Sequence, residues 1–328
     1  MIVSRTPFRI SFVGGGSDLR SFYSEEPGQV LSVAIDKYMY VVVKRQIGIV
    51  EHKYRVNWSR VEFCNDVEEI EHPIVREALK LFEIDFPIEI NTFADVPSGT
   101  GLGSSSAFAV GLVHALHALK GEQITKHTLA SEAAHIEVDL LGRSMGKQDH
   151  FASAYGNLNV FTFYSDEIVT ADPVFYRSAV WRELEKNLLL FYTGIRRDAS
   201  QVLRIQDQAT PDKRSVLRKM KSLVAPLNEV LSSGTDLNKV GKILDEGWQL
   251  KRTLTDQISS SEINNYYKKA LTAGAVGGKL LGAGGGGFLL VYVDEPYQEA
   301  VIHALSELFH LEFRLDSSGT RITYYDQS

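Results

Sequence analysis

The sequence contains a single cysteine, Cys64, among its 328 residues. One cysteine excludes a disulfide within the chain and any zinc site built from several cysteines, so a reducing compartment is the simplest setting. No apolar run reaches the roughly 18 residues of a membrane-spanning helix, and residues 1–7 lack the apolar segment of a signal peptide. We therefore expect a cytoplasmic protein with no membrane partner.

Basic residues are outnumbered, with 35 Lys and Arg against 41 Asp and Glu, which gives a formal net charge of −6. A nucleic-acid-binding protein usually has a basic face, so we expect no nucleic-acid partner. The hydrophobic share of 44% is that of an ordinary globular protein, and the length suggests roughly two domains. Because the stretch 165–172 is polar, we predict an N-terminal domain over 1–168 and a C-terminal domain over 169–328.

Glycine is plentiful and forms three clusters, of which the central one lies in the stretch Pro97–Ser106, Pro-Ser-Gly-Thr-Gly-Leu-Gly-Ser-Ser-Ser. Its glycines allow sharp turns and close approach to a ligand, and its serines are expected to cap the buried helix predicted over 107–120. A glycine-rich loop that leads into a helix favours an anion such as phosphate, although a plain turn is an equal alternative for the loop alone. A P-loop is excluded because Ser104 stands where that motif has lysine.

The other two clusters lie near the two ends of the chain. The first, Gly14-Gly15-Gly16-Ser17-Asp18, separates two predicted strands, the second of which is expected to turn back in a hairpin at Asp36-Lys37. The third, residues 282–287, contains Gly-x-Gly-x-x-Gly, but the apolar run 288–293 after it predicts a strand. Since the dinucleotide-binding fingerprint requires a helix there, we interpret this cluster as a hairpin-like loop beside another ligand-binding loop.

Two carboxylates follow the central loop at a defined spacing. Glu137 lies beside the apolar stripe of a helix predicted over 126–141, where a carboxylate is costly unless it is paired or bound to a metal. Asp149 follows twelve residues later, after a polar loop. A rim position for Glu137, a surface position for Arg9 and a turn-forming role for Asp18 are the alternatives. The mixture of strands and helices predicts an α+β fold with antiparallel strands packed by helices.

Three elements in this order resemble the three motifs of the GHMP superfamily, the galactokinase, homoserine kinase, mevalonate kinase and phosphomevalonate kinase group. They are Arg9 with Gly14–Asp18, then Pro97–Ser105, then Lys279–Gly284. The resemblance spans the chain and implies a two-domain α+β kinase, with a ferredoxin-like second domain and ATP bound between the domains. The implied ATP-binding residues are Pro97, Ser98, Gly99, Thr100, Gly101, Leu102, Gly103, Ser104, Ser105 and Ser106.

The resemblance also implies a role for each polar residue. Ser105 and Glu137 resemble the magnesium ligands, and both carry the hard oxygen atoms that this ion prefers. Asp149 resembles the aspartate that accepts the proton of the sugar hydroxyl, and Arg9 resembles the arginine that steadies that aspartate and the migrating phosphoryl group. Asp18 resembles the aspartate that hydrogen-bonds sugar hydroxyls.

The triple-glycine form of the first motif resembles most the sugar kinases that phosphorylate D-glycero-D-manno-heptose 7-phosphate at its anomeric oxygen. Such an enzyme supplies the 1,7-bisphosphate for nucleotide-activated heptose and surface polysaccharide. Gly15-Gly16 replace the Glu-His pair of the galactokinase motif, so the galactose contacts are absent and a bulkier sugar has room. The expected substrate-binding residues are Gly15, Gly16, Ser17, Asp18, Arg196, Arg197, Gly284 and Gly285.

Arg196 and Arg197 are the candidates for the far-end phosphate of the sugar, since an arginine fork matches a phosphate group. Lys147 and Arg143 are alternatives, and two solvated surface arginines are another interpretation. Three functions remain open: a heptose 7-phosphate kinase, an anomeric kinase of an unphosphorylated sugar such as fucose, and a non-catalytic sensor of sugar and ATP. The oligomeric state is also open, with a homodimer as one alternative.

Overall fold

A computed structural model describes residues 1–195 and 199–326 of the chain. The strands are β1 Ile2–Val13, β2 Gly28–Arg45, β3 Tyr54–Asn57, β4 Val61–Cys64, β5 Ile88–Ala94, β6 Leu158–Phe163, β7 Val169–Pro173, β8 Leu188–Tyr192, β9 Gly277–Leu280, β10 Phe288–Tyr292, β11 Phe309–His310, β12 Leu315–Asp316 and β13 Arg321–Tyr325. The helices are α1 Arg20–Tyr23, α2 Pro73–Leu81, α3 Ser104–Leu119, α4 Lys126–Ala134, α5 Gln148–Tyr155, α6 Ser178–Asn187, α7 Ala199–Ser222, α8 Val224–Ser233, α9 Asn238–Arg252, α10 Ser261–Thr272 and α11 Gln298–Ala304.

The larger sheet has the strand order β13-β1-β2-β5-β3-β4, and β6 and β12 also pair with β2, while β7 pairs with β6. Its pairs are antiparallel except for β3 with β5. The hairpin predicted at Asp36-Lys37 is wrong, because β2 runs through these residues without a break. The reason is that β12 pairs with this part of β2, and the Asp36 N–H donates to the Arg314 carbonyl at 2.8 Å.

Helix α3 packs against β1 and β2 and is buried along most of its length, as predicted. It is apolar around its whole circumference, which is typical of a helix enclosed by other elements. Gly111 brings it close to β1, and the Ser4 hydroxyl donates to the Gly111 carbonyl at 2.7 Å. Helices α4 and α5 cover α3 on its other side. In this arrangement β1 carries Arg9 and α5 carries Asp149.

The smaller sheet has the order β11-β8-β10-β9, and all of its pairs are antiparallel. Strands β9 and β10 are joined by the third glycine cluster, which confirms the hairpin-like loop and excludes a dinucleotide-binding turn. Helix α9 packs on β9. The predicted α+β architecture with antiparallel-rich sheets packed by helices is therefore confirmed.

The two sheets do not divide the chain at one point. Strands β7, β12 and β13 belong to the larger sheet, and β13 lies beside β1 with Tyr325 opposite Ile2. The boundary between 168 and 169 remains a prediction, although the chain after residue 311 returns to the first sheet. Within residues 1–195 and 199–326, no helix has the length and hydropathy needed to cross a lipid bilayer.

Candidate active site

The central and third glycine loops touch each other through their backbones. Gly101 and Gly282 both have left-handed φ angles, and a Cβ atom on either would clash with the backbone of the other loop. The Phe288 N–H donates to the Thr100 carbonyl at 3.1 Å, which joins β10 to the central loop. Gly101 and Gly282 are 181 residues apart in sequence (282 − 101), and the two loops thus form one surface.

Helix α3 begins directly after the central loop. Its N-cap is Gly103, which makes no side-chain cap, so the expectation that the serines cap this helix is wrong. The serines instead form the first turn, where the backbone N–H groups have no partner within the helix. Together with the positive end of the helix dipole, these groups form a site suited to an anion.

Arg9 and Asp149 form a two-point ion pair at the inner side of the loop. Nε of Arg9 donates to Oδ1 of Asp149 at 2.6 Å, and Nη2 donates to Oδ2 at 2.7 Å. Nη1 donates to the Gly101 carbonyl at 2.7 Å. Only 4% of the Arg9 side chain is exposed, against 18% for Asp149. The loop, the cation and the carboxylate are therefore held in one rigid arrangement.

Glu137 is fully buried and lies on a π-helical turn, His135–Leu140, that continues α4. It accepts hydrogen bonds from Ser105 Oγ and Arg143 Nη1, and His150 Nε2 lies 2.9 Å from its other oxygen. Burial alone would raise the pKa of Glu137, but the His150 and Ser105 hydrogen bonds and the Arg143 charge lower it. The carboxylate is therefore charged and oriented beside the first turn of α3.

Asp18 lies on the same side of the central loop as the Arg9–Asp149 pair, and it is almost completely buried. It accepts the Gly16 N–H at 2.8 Å and the Gln148 N–H at 3.3 Å. Burial and then the charge of Asp149 raise its pKa, and the hydrogen bonds only partly offset them. Asp18 is thus fixed by its own loop and by the start of α5.

Two cavities adjoin the central loop, and we call them the inner cavity and the aromatic cleft. The inner cavity is lined by Arg9, Ser11, Gly15, Gly16, Asp18, Gln148, Asp149, Lys251 and Lys279, among others. The aromatic cleft lies on the outer side and is lined by Met39, Trp58, His72, Pro97, Ser98, Gly99 and Phe108, among others. Between them, the loop and first-turn residues Gly101, Gly103, Ser104, Ser105 and Ser106 line a groove that reaches Arg9 and Asp149.

The aromatic cleft carries a neutral histidine between two rings. His72 lies 4.8 Å from Trp58 and 4.8 Å from Phe108, measured between ring centroids. Burial lowers the pKa of His72 to about 4, so it is uncharged at neutral pH. This surface can receive a flat, uncharged ring next to the central loop.

The structure brings most of the predicted site residues together, and three of the expected substrate-binding residues lie outside the inner cavity. Ser17 does not line the inner cavity, because its hydroxyl donates to the Gly14 carbonyl at 2.7 Å and lies 2.9 Å from the Gln29 carbonyl. Gly284 and Gly285 contact Ile258, the latter through an N–H donated to its carbonyl at 2.8 Å. Gly282 and Ala283 line the cavity in their place.

Two residues of the central loop, Thr100 and Leu102, stabilise the loop itself. Leu102 is fully buried, and the Thr100 hydroxyl donates to the Pro97 carbonyl at 2.9 Å. Arg196 and Arg197, predicted to bind a phosphate, lie outside the described residues. The two alternative cations already have carboxylate partners, since Arg143 pairs with Glu137 and Lys147 pairs with Glu167.

Sequence reasoning did not identify Lys251 as a site residue, although the sequence contains a signal. The buried positions of α9 include Val240, Leu244, Trp248 and Lys251, which follow a helical spacing. A lysine at the end of an apolar stripe is unusual, since lysine is rarely buried without a partner. Lys279 was part of the third motif but had no assigned contact; it donates to the Ser11 and Phe12 carbonyls at 2.8 Å each.

Comparison with protein families finds two matching models. Residues 73–157 match the GHMP kinases N terminal domain, and residues 223–311 match the GHMP kinases C terminal domain. Among curated proteins, the chain is 29% identical over 318 residues to a D-glycero-alpha-D-manno-heptose 7-phosphate kinase of Campylobacter jejuni, covering 93% of each chain. It is 27% identical to a bifunctional fucokinase/GDP-fucose pyrophosphorylase of Arabidopsis thaliana, of which it covers 29%.

Solved structures give the same fold. A D-glycero-D-manno-heptose 1-phosphate kinase from Bacteroides thetaiotaomicron superposes with a TM-score of 0.81 at 23% identity, over 99% of this chain and 100% of that chain. A putative sugar kinase from Campylobacter jejuni superposes with a TM-score of 0.73 at 25% identity, over 98% and 97% of the two chains.

Proposed function

The chain belongs to the GHMP kinases, which are ATP-dependent phosphotransferases, and from this premise we propose that it phosphorylates the anomeric hydroxyl of D-glycero-D-manno-heptose 7-phosphate. The product would be the 1,7-bisphosphate. The observation that supports this best is the two-point Arg9–Asp149 pair, which lies where the inner cavity meets the central loop. The named function of the Campylobacter jejuni relative supplies the sugar.

The two sides of the loop fit the two substrates of a kinase. The aromatic cleft suits the adenine ring, and the first turn of α3 suits the ATP phosphates, which its N–H groups would bind. The inner cavity is polar and suits a sugar, with Asp18 as the acceptor for its hydroxyl groups. The acceptor hydroxyl would then lie between Asp149 and the γ-phosphate.

The chemistry follows from this placement. The acceptor oxygen forms a bond to the γ-phosphorus while the bond from that phosphorus to the bridging oxygen of ADP breaks. The hydroxyl proton passes to Asp149, and ADP leaves with the electron pair. Arg9 holds both oxygens of Asp149 in place, and its positive charge would stabilise the transferred group. Positioning and charge neutralisation are the main requirements of this reaction.

The residues beside α3 fit a magnesium ion. Glu137 is a fully buried carboxylate with Ser105 in contact, and both present hard oxygen atoms. Within the described residues there is no cluster of three His, Cys, Asp or Glu side chains suited to a metal. A magnesium ion at this place would bind through one carboxylate, phosphate oxygens and water. Arg143 now neutralises Glu137. When bound, magnesium would neutralise charge on the phosphate oxygens.

An unphosphorylated sugar is the second candidate acceptor, and the fucokinase relative favours it. The distinguishing experiment is a coupled assay of ADP release with heptose 7-phosphate, heptose, fucose and galactose at equal concentrations. We expect kcat/KM to be highest for heptose 7-phosphate, by tenfold or more over heptose, about the contribution of one hydrogen bond to a charged group. Equal or better use of an unphosphorylated sugar would refute the proposal.

A further inference from the structure

Lys251 is a buried cation in the wall of the inner cavity. It lies in the last turn of α9, about one-tenth of its surface is exposed, and it lines the cavity together with Asp18 and Asp149. It therefore reaches the proposed acceptor site from the C-terminal half of the chain.

The other two cations of the cavity have more complete sets of partners. Arg9 is bound to both oxygens of Asp149, and Lys279 donates to two backbone carbonyls. Lys251 Nζ donates to the Gly282 carbonyl, and within residues 1–195 and 199–326 it forms no ion pair with a carboxylate. An ammonium group has three hydrogens to donate, so Lys251 keeps donor capacity for a ligand.

The carboxylates that line the cavity with Lys251 already have other partners. Both oxygens of Asp149 accept from Arg9, and Asp18 accepts the Gly16 and Gln148 N–H groups. A buried charge without a counter-charge is costly. The anionic group of a sugar phosphate would supply that counter-charge to Lys251, whereas a neutral sugar would not.

We propose that Lys251 binds the anionic group of the acceptor and so selects a sugar phosphate over an unphosphorylated sugar. This inference rests on the proposed function, because it takes the inner cavity as the acceptor site. The ligand class is a sugar phosphomonoester, whose oxygens accept hydrogen bonds from an ammonium group. The contact lies on the inner side of the loop, away from the aromatic cleft proposed for adenine.

The titration of Lys251 supports this assignment. Burial and the Arg9 charge lower its pKa to about 8, although Asp18 and Asp149 act in the opposite direction. The pKa of Lys279, which lies near it, is lowered well below its usual range by burial and then by the charges of Lys251 and Arg9. Lys251 is charged below about pH 8, so binding of an anionic acceptor should weaken as the pH rises through that value.

The test compares Lys251→Met and Lys251→Arg with Lys242→Met, a control at an exposed position of the same helix. Steady-state kinetics are measured with heptose 7-phosphate, with heptose and with varied ATP, and the unfolding temperature is recorded for each variant. We expect Lys251→Met to raise KM for heptose 7-phosphate by about tenfold or more. KM for heptose and for ATP should change by less than about twofold, and the control should match the wild type.

Two outcomes would overturn the assignment: equal losses on heptose and heptose 7-phosphate, or an increase in KM for ATP alone. If Lys251→Met does not fold, the pH dependence of KM in the wild type and in Lys251→Arg still tests the assignment. The wild-type KM for heptose 7-phosphate should rise above about pH 8. In Lys251→Arg that rise should be absent, because arginine stays charged. Identical pH profiles of KM for the two proteins would refute the role of Lys251 in binding the anionic group. A wild type that shows no preference for the phosphorylated sugar would instead refute the proposed function.

Discussion

Replacement of Asp149 by asparagine tests the proposed chemistry most directly. The carboxylate receives two N–H groups of Arg9, at 2.6 and 2.7 Å. Asparagine keeps one acceptor oxygen but places an NH₂ group where the second oxygen accepted a hydrogen bond. The change therefore removes the proposed proton acceptor and also leaves one N–H of Arg9 facing another donor, while the size of the side chain is preserved.

The expected loss in kcat is about 10²–10⁴, the usual contribution of a positioned general base. A second effect is on stability, because the Arg9 side chain is only 4% exposed and would lose its counter-charge. Breaking a buried ion pair costs about 3–5 kcal/mol, and we expect the lower end because the Gly101 carbonyl still accepts from Arg9. The unfolding temperature should then fall by about 5–10 °C.

ADP release at saturating substrate gives kcat, and titration calorimetry gives the affinity for ATP. We expect ATP binding to be retained, because the central loop is held by backbone contacts that do not involve Asp149. Asp212→Asn, at an exposed position of α7, is the matched control and should leave both quantities unchanged. A near-normal kcat, or a loss of ATP affinity as large as the loss in kcat, would refute the role of Asp149 as the base.

Two further predictions concern the metal and the sugar phosphate. Ser105→Ala and Glu137→Gln should each raise the Mg²⁺ concentration for half-maximal rate, because each removes a hard oxygen beside the loop; unchanged titrations in both variants would remove them from the metal site. Arg196→Ala combined with Arg197→Ala should raise KM for heptose 7-phosphate about tenfold and leave KM for ATP unchanged. A normal KM for the sugar phosphate in that double variant would exclude the arginines and leave Lys251 as the cation to test.

The pairs at the centre of the site could be predicted from the sequence because they lie in recognisable motifs. Arg9 with Asp149, and Ser105 with Glu137, are in contact as the motifs suggested. Their proposed catalytic roles remain predictions. These residues lie on four different elements, β1, α5, α3 and the π-helical turn, so the motifs rather than one local pattern indicate that they meet.

Other contacts could not be predicted, because they depend on how distant segments pack. Ser17 lies in a motif, yet its hydroxyl is bound by the Gln29 backbone across the loop. Arg143 was an alternative for the sugar phosphate, yet it pairs with Glu137 because a buried carboxylate requires compensation. The apolar stripe of α9 indicates that Lys251 is buried, but the cavity it reaches depends on the packing of α9 on β9.

The three glycines of the central loop, Gly99, Gly101 and Gly103, have different surroundings. All have left-handed φ angles, which favours glycine at each position. A Cβ on Gly99 would meet open space, one on Gly103 would lie 3.3 Å from the Arg9 side chain, and one on Gly101 would lie 2.6 Å from the Leu281 carbonyl oxygen. The close approach at Gly101 is thus to the other glycine loop. The contact couples the proposed phosphate-binding loop to the segment that accepts a hydrogen bond from Lys251, so both substrate sites depend on the same backbone junction.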